Sequence, residues 1–159
     1  MNEKLTGKSK RLEAILWSIA FPGFGQFLNK KYIKGIVFIA LEFMINVKGH
    51  LNQVIIYGFH GQTHQSMTEA NYLWLMFYPC VYFFAIWDAY RDAGGGEKPF
   101  AYLPFVSGAY WMTLGVVFST TFSFGDVFIG PVWLAIIFVP IGLFFGILTR
   151  WIILRFSEN

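Results

Sequence analysis

Three apolar runs dominate the second half of the chain. The first, Tyr72 to Trp87, is closed by Asp88, Arg91 and Asp92. Phe100 to Phe124 contains no charged residue, and neither does Val127 to Thr149. A hydrocarbon core about 30 Å thick needs roughly 20 apolar residues as helix. The last two runs exceed that length, and the first meets it when its ends reach the interface. Gly94-Gly95-Gly96-Glu97-Lys98-Pro99 separates the first run from the second and predicts a helix–helix loop. Asp126 marks a short break before the third.

The first half is less regular. Leu12 to Leu28 is mostly apolar but is broken by Pro22-Gly23-Phe24-Gly25. Proline lacks a backbone donor and glycine is conformationally loose, so this is a poor helix interior. Gly35 to Val47 is apolar except for Glu42 and Asn46, and is only 13 residues long. It reaches bilayer length only by carrying Lys48, His50 and Asn52 as helix. Otherwise it bends or leaves the bilayer early. Lys48 to Asn71 is mixed, and holds all three histidines, His50, His60 and His64.

Composition turns these runs into a membrane assignment. Hydrophobic residues make up 56% of the chain and charged residues 13%, against about 25% charged in an average soluble domain. So little charge cannot cover a small soluble fold, and lipid is expected to be part of the solvent. The single cysteine, Cys80, excludes an internal disulfide and is expected to be a buried, inert thiol. No small-x-small cleavage site follows the basic N-terminal residues, so a retained N-terminus is expected.

Charge then sets the topology, because Lys and Arg concentrate in cytoplasmic loops. With the N-terminus inside and Leu12 to Leu28 dipping in without crossing, eleven of the twelve basic residues fall on one side, Lys48 being the exception. A full crossing would put Lys30, Lys31 and Lys34 outside. The expected fold is an all-α polytopic membrane helix bundle, with four spans plus a re-entrant or interfacial N-terminal helix. It is one domain: a basic cytoplasmic tail at 1–11, a hairpin at 12–34, spans at 35–57, 70–90, 100–122 and 128–152, and an external loop at 58–69. Both termini are expected in the cytoplasm, in the cell membrane.

Several residue sets carry candidate chemistry. Glu42, Asn46, His50 and Gln53 are spaced four, four and three apart, which lines one helix face. Ionisable groups at membrane depth face a bundle interior or a water cavity. Glu42, Asn46 and His50 are therefore either a polar intramembrane seam for an ion, proton or small ligand, or helix–helix hydrogen bonding, unless the helix ends near Val47 and leaves His50 and Gln53 in a loop. Asp88 and Asp92 oppose the dipole at a helix C-terminus, and need a basic partner from Lys30, Lys31 or Lys34. These lysines, with Asp88 and Arg91, form the expected contact with anionic headgroups or a partner. Gly142-x-x-x-Gly146 permits close helix packing, with Ala101, Gly108 and Gly115 as a matching small-residue track, or self-association into a homo-oligomer. His60 and His64 have the spacing of two metal ligands on one helix, but Gly58 and Gly61 argue against a helix there. No metal site and no cofactor is expected. Nucleophile-elbow, phosphate-loop and zinc-protease motifs are absent. So is the aromatic–basic interleaving of a nucleic-acid binder.

The stretch from Ala14 to Gly35 contains Pro22-Gly23-Phe24-Gly25-Gln26, then Asn29, Lys30-Lys31 and Lys34-Gly35. With Trp87-Asp88 at a later helix end, it resembles the bacterial two-transmembrane-helix domain family and its relatives, over residues 14–92. The family's Arg-Phe-Tyr after the glycines is replaced here by Gln26-Phe27-Leu28, and residues 48–71 are an insertion. The resemblance implies a structural element and says little about activity. By their own chemistry, Gly23 and Gly25 allow a tight turn, and Gln26 and Asn29 are suited to satisfy carbonyls freed by Pro22.

The expected function is that of a small non-catalytic membrane protein acting by association with other membrane components. A small transporter or channel subunit using the Glu42 seam is the alternative, and a membrane-embedded enzyme the second.

Overall fold

The computed structural model describes residues 7–157. The expected tail at 1–11 lies outside these residues for its first six positions, and residues 7–11 belong to the first helix. Nine α-helices follow in order among the described residues: α1 (Gly7–Ala20), α2 (Phe24–Leu28), α3 (Tyr32–Gly49), α4 (Leu51–Phe59), α5 (Thr63–Glu69), α6 (Tyr72–Leu75), α7 (Tyr78–Asp92), α8 (Leu103–Val117) and α9 (Gly130–Ser157). A 3-10 turn at Phe118–Thr120 follows α8. Two antiparallel strands of two residues, β1 (Ser123–Phe124) and β2 (Val127–Phe128), precede α9. This ribbon, which turns on Gly125 at φ 64°, is a small departure from an all-helical expectation.

Three helical stretches are long and apolar enough to cross a membrane: Tyr72–Asp92, Leu103–Thr120 and Gly130–Ser157. Their outer faces carry large apolar side chains, as lipid-facing helices do. Leu73 is 76% exposed and Phe144 62%. Pro79 starts α7, where its missing N–H costs nothing, and the same holds for Pro104 in α8.

The most extensive pairing is between α8 and α9. Small residues permit it. A Cβ on Gly142 would come 2.8 Å from the Ser107 carbonyl, and one on Gly115 would come 2.7 Å from the Ala135 Cα. Gly146 lies equally tight on Pro104. Gly142, Gly146, Gly108 and Gly115 thus work within the chain as helix-packing residues.

The N-terminal hairpin lies along α7. Arg11 donates to the Gly94 carbonyl at 3.4 Å beyond one end of α7, and Tyr82 donates to the Ile19 carbonyl at 2.9 Å part-way along it. Tyr82 is ten residues from Asp92, about 15 Å of helix. At that depth Pro22 and Gly23 (φ 104°) reverse the chain, and α2 returns it toward Asp92. Lys30 then ends α2 in a left-handed conformation (φ 60°). Its N–H bonds the Phe27 carbonyl and that of Lys31 bonds Gln26, which is the Schellman arrangement.

The expected continuous helix at 35–57 is broken. α3 stops at Gly49, and His50 adopts a left-handed conformation (φ 57°) before α4 begins. Asn71 N–H bonds the freed Gly49 carbonyl, which holds the break. By then α3 has already reached the Tyr72 end of the bundle, so α4 crosses that end. There Leu51 and Val54 pack with Leu75, Val116 and Ala135 in one buried cluster. The expected loop at 58–69 is also partly helix. Gly58 lies inside α4, Gly61 (φ 74°) terminates it, and α5 packs back on α4 through Ser66, which donates to the Val54 carbonyl at 2.8 Å.

Candidate functional site

The polar chemistry concentrates where the hairpin meets the Asp92 end of α7. Ala85 and Ala89 are fully buried, and their small side chains let α2 reach the α7 backbone. Gly25 sits at the contact, because a Cβ there would collide with Ser18, Ala14 and Ala89. Gln26 Nε2 donates to the Ala85 carbonyl at 2.8 Å and to Asp88 Oδ2 at 3.3 Å. Asn29 Nδ2 donates to the Ala89 carbonyl at 2.8 Å. The two amides therefore bridge to another helix, not to carbonyls freed by Pro22.

Asp88 is 3% exposed, and a buried carboxylate needs partners. Lys34 Nζ lies 2.8 Å from Asp88 Oδ1 and 2.8 Å from Asp92 Oδ2, and Arg91 Nη2 lies 3.0 Å from Asp88 Oδ1. Of the three candidate lysines, Lys34 supplies the pairing. Burial lowers the Lys34 pKa, but hydrogen bonds to both carboxylates outweigh it and hold the ammonium above its ordinary value. Lys30 and Lys31 stay exposed. Lys30 joins Lys10, Glu13, Asn29 and Asp92 around a polar cleft of about 410 Å³.

The expected seam does not come together. Glu42 is buried in α3, but Asn46 turns to Asn52, whose Oδ1 accepts from its Nδ2 at 2.9 Å. His50 stands past the helix end, with Nδ1 3.1 Å from the Glu69 carbonyl. Gln53 is exposed on α4. The left-handed turn at His50 breaks the helical register that the spacing assumed. His60 caps α4 and His64 lies in α5, so they do not share a helix. No group of three His, Cys, Asp or Glu able to hold a metal occurs among the described residues.

Two features were not expected. Cys80 is exposed, not buried. It lines an apolar groove of about 770 Å³ between α3, α7 and α8, with Phe38, Phe84, Trp87, Phe105 and Val106. Tyr82, which ties the hairpin tip to α7, also escaped the sequence reading. The usable signal was its four-residue spacing from Tyr78 on a helix otherwise lined with Phe and Trp.

No protein-family model, curated protein or solved structure matches this chain.

Proposed function

We propose that this is a small, non-catalytic integral membrane protein that acts by association with other membrane components. Its four spans are residues 35–49 of α3, Tyr72–Asp92, Leu103–Thr120 and α9, and its N-terminal hairpin is re-entrant. The observation that carries this reading is charge segregation. Lys10, Arg11, Lys30, Lys34, Arg91 and Arg150 gather at the Asp92 end, where Arg150 donates to the Pro99 carbonyl at 3.1 Å. Lys48 stands near the other. That asymmetry suits a cytoplasmic Asp92 end in the cell membrane, with both termini inside and exposed Lys30 and Lys31 against anionic headgroups.

The likeness to the two-transmembrane-helix domain family is part of this proposal. Its two sequence halves, Pro22 to Lys34 and Trp87-Asp88, meet through Gln26, Lys34 and Asp88. Much of this side-chain polarity is thus spent inside the molecule, which favours a structural role over catalysis. The apolar groove offers a surface for a partner or a second copy of this chain. A photo-crosslinking residue at Val106, which is 58% exposed in that groove, should trap one discrete protein adduct in native membranes. Lipid adducts alone, with solute flux lost on Glu42→Gln in reconstituted vesicles, would favour the transporter reading instead.

A further inference from the structure

One buried ionisable group stands apart from the hairpin contact. Glu42 is 6% exposed, and its Oε2 has no hydrogen-bond partner among the described residues. Buried polar atoms are nearly always paired, so a carboxylate oxygen with no protein donor calls for a proton of its own or for a ligand. Only two other buried side-chain atoms share this condition among the described residues, Ser18 Oγ and Gln26 Oε1. Both belong to the hairpin, one on α1 and one on α2.

The hairpin tip reaches α3 about one helical turn from Glu42. Gly23 packs against Gly35 and Ile39 of α3, so tightly that a Cβ would come 2.7 Å from the Gly35 carbonyl. Glu42 is three residues beyond Ile39. From α7, Tyr78 and Tyr82 are the titratable groups within electrostatic reach, and Tyr82 already donates to Ile19 at the end of α1. α1 and α2 bring Ser18 and Gln26 into the bundle interior, both buried and neither of them charged. Along α3, Lys34 is committed to Asp88 and Asp92 about two turns away, and Lys48 is exposed. No cation compensates Glu42 among the described residues. An ionised carboxylate buried among tyrosines with neither donors nor a cation is far costlier than the neutral acid.

We propose that Glu42 is an exchangeable proton site in the bundle interior, held as the neutral acid while the α1–α2 hairpin is seated. When water reaches it, the acid O–H bond breaks, the proton passes to that water, and the carboxylate remains with solvent as its donor. The ligand is a proton, and the hairpin is the element that controls access. This goes beyond the association reading and needs no particular partner.

A hydrophobic carbodiimide tests it directly. A neutral carboxylic acid adds across the carbodiimide C=N bond, its proton going to nitrogen, and the adduct is located by peptide mass spectrometry. The full chain is labelled in lipid vesicles at neutral pH, with exposed Glu97 as internal comparator. Labelling of Glu42 should exceed that of Glu97 several-fold, because the carbodiimide adds to the neutral acid and a water-exposed carboxyl is ionised at neutral pH. It should be indifferent to sodium at fixed pH. Gly25→Leu, which wedges the hairpin from α7, should reduce Glu42 labelling several-fold while circular dichroism shows the helices retained. Glu42→Gln keeps the shape of the neutral acid and should keep the melting temperature. Equal labelling of Glu42 and Glu97 overturns the proposal, as does suppression by sodium, which would make the carboxylate a cation ligand. A melting temperature lowered by Glu42→Gln also overturns it, because the carboxylate would then have been ionised and partnered.

Discussion

Asp88 takes three donors at once, from Gln26, Lys34 and Arg91, at the bottom of the hairpin contact. Removing one charge partner from a buried carboxylate is expensive, though the Lys34 side chain is 39% exposed and water screens part of that cost. Lys34→Met should destabilise the protein by about 1–2 kcal/mol, read by thermal unfolding in detergent. Adding Asp88→Asn should recover part of that loss, and strict additivity of the two would contradict the pairing. The raised Lys34 pKa sets the pH window. Its stabilisation is complete up to the ordinary value of 10.5 and is lost as pH rises beyond it. The difference in melting temperature between wild type and Lys34→Met should therefore hold through neutral pH and close only at strongly alkaline pH. That an acid pair at a helix end needs a lysine was legible from the dipole rule. The choice of Lys34 was not, because it depends on where the Gly23 reversal sets α3 against α7.

At the scale of elements, the long apolar helices and the small-residue face of α9 were legible, since length and glycine spacing act locally. Gly142→Leu should cost about 1–3 kcal/mol by overpacking against Ser107 and Trp111, measured by the same unfolding assay. The helix breaks were not legible where the left-handed residue is not glycine. Lys30 and His50 both sit at positive φ, and nothing in their chemistry announces it. A left-handed conformation costs a non-glycine residue roughly 1–2 kcal/mol. Lys30→Gly should therefore raise stability by about 1 kcal/mol, and no gain would argue against the Schellman end of α2. The opposite holds at Gly58, a glycine that reads as a helix breaker in the sequence and lies inside α4. It stays helical because Val132 of α9 occupies the space beside it, and Trp133 Nε1 donates to its carbonyl at 2.9 Å.

For the whole molecule, the distribution of basic residues between the two ends follows the pattern along the chain, because so few are present and a cation in the apolar middle of the bundle is costly. What the linear pattern did not contain is the closure of the Tyr72 end. α4 and α5 fold over it and meet α9 through Phe59 against Trp133 and Thr63 against Gly130. The four-span arrangement predicts opposite sides for Gly61 and Gly95. Single cysteines at these positions, in a Cys80→Ser background, should react with a membrane-impermeant thiol reagent from opposite faces of sealed vesicles. Reaction from the same face would sink the arrangement.

The hairpin contact also has a consequence in time. Gln26 and its acceptor Ala85 are 59 residues apart. At synthesis rates of about 5–20 residues per second, α7 emerges roughly 3–12 s after the hairpin has been made. Until then Gln26, Asn29 and Lys34 have no partners, and the hairpin must wait where water and headgroups can serve them. In the proposed re-entrant arrangement its descent beside α7 is a late, post-insertion step, and a chain truncated before Ala85 should leave the Pro22–Gln26 turn open to protease at the membrane surface.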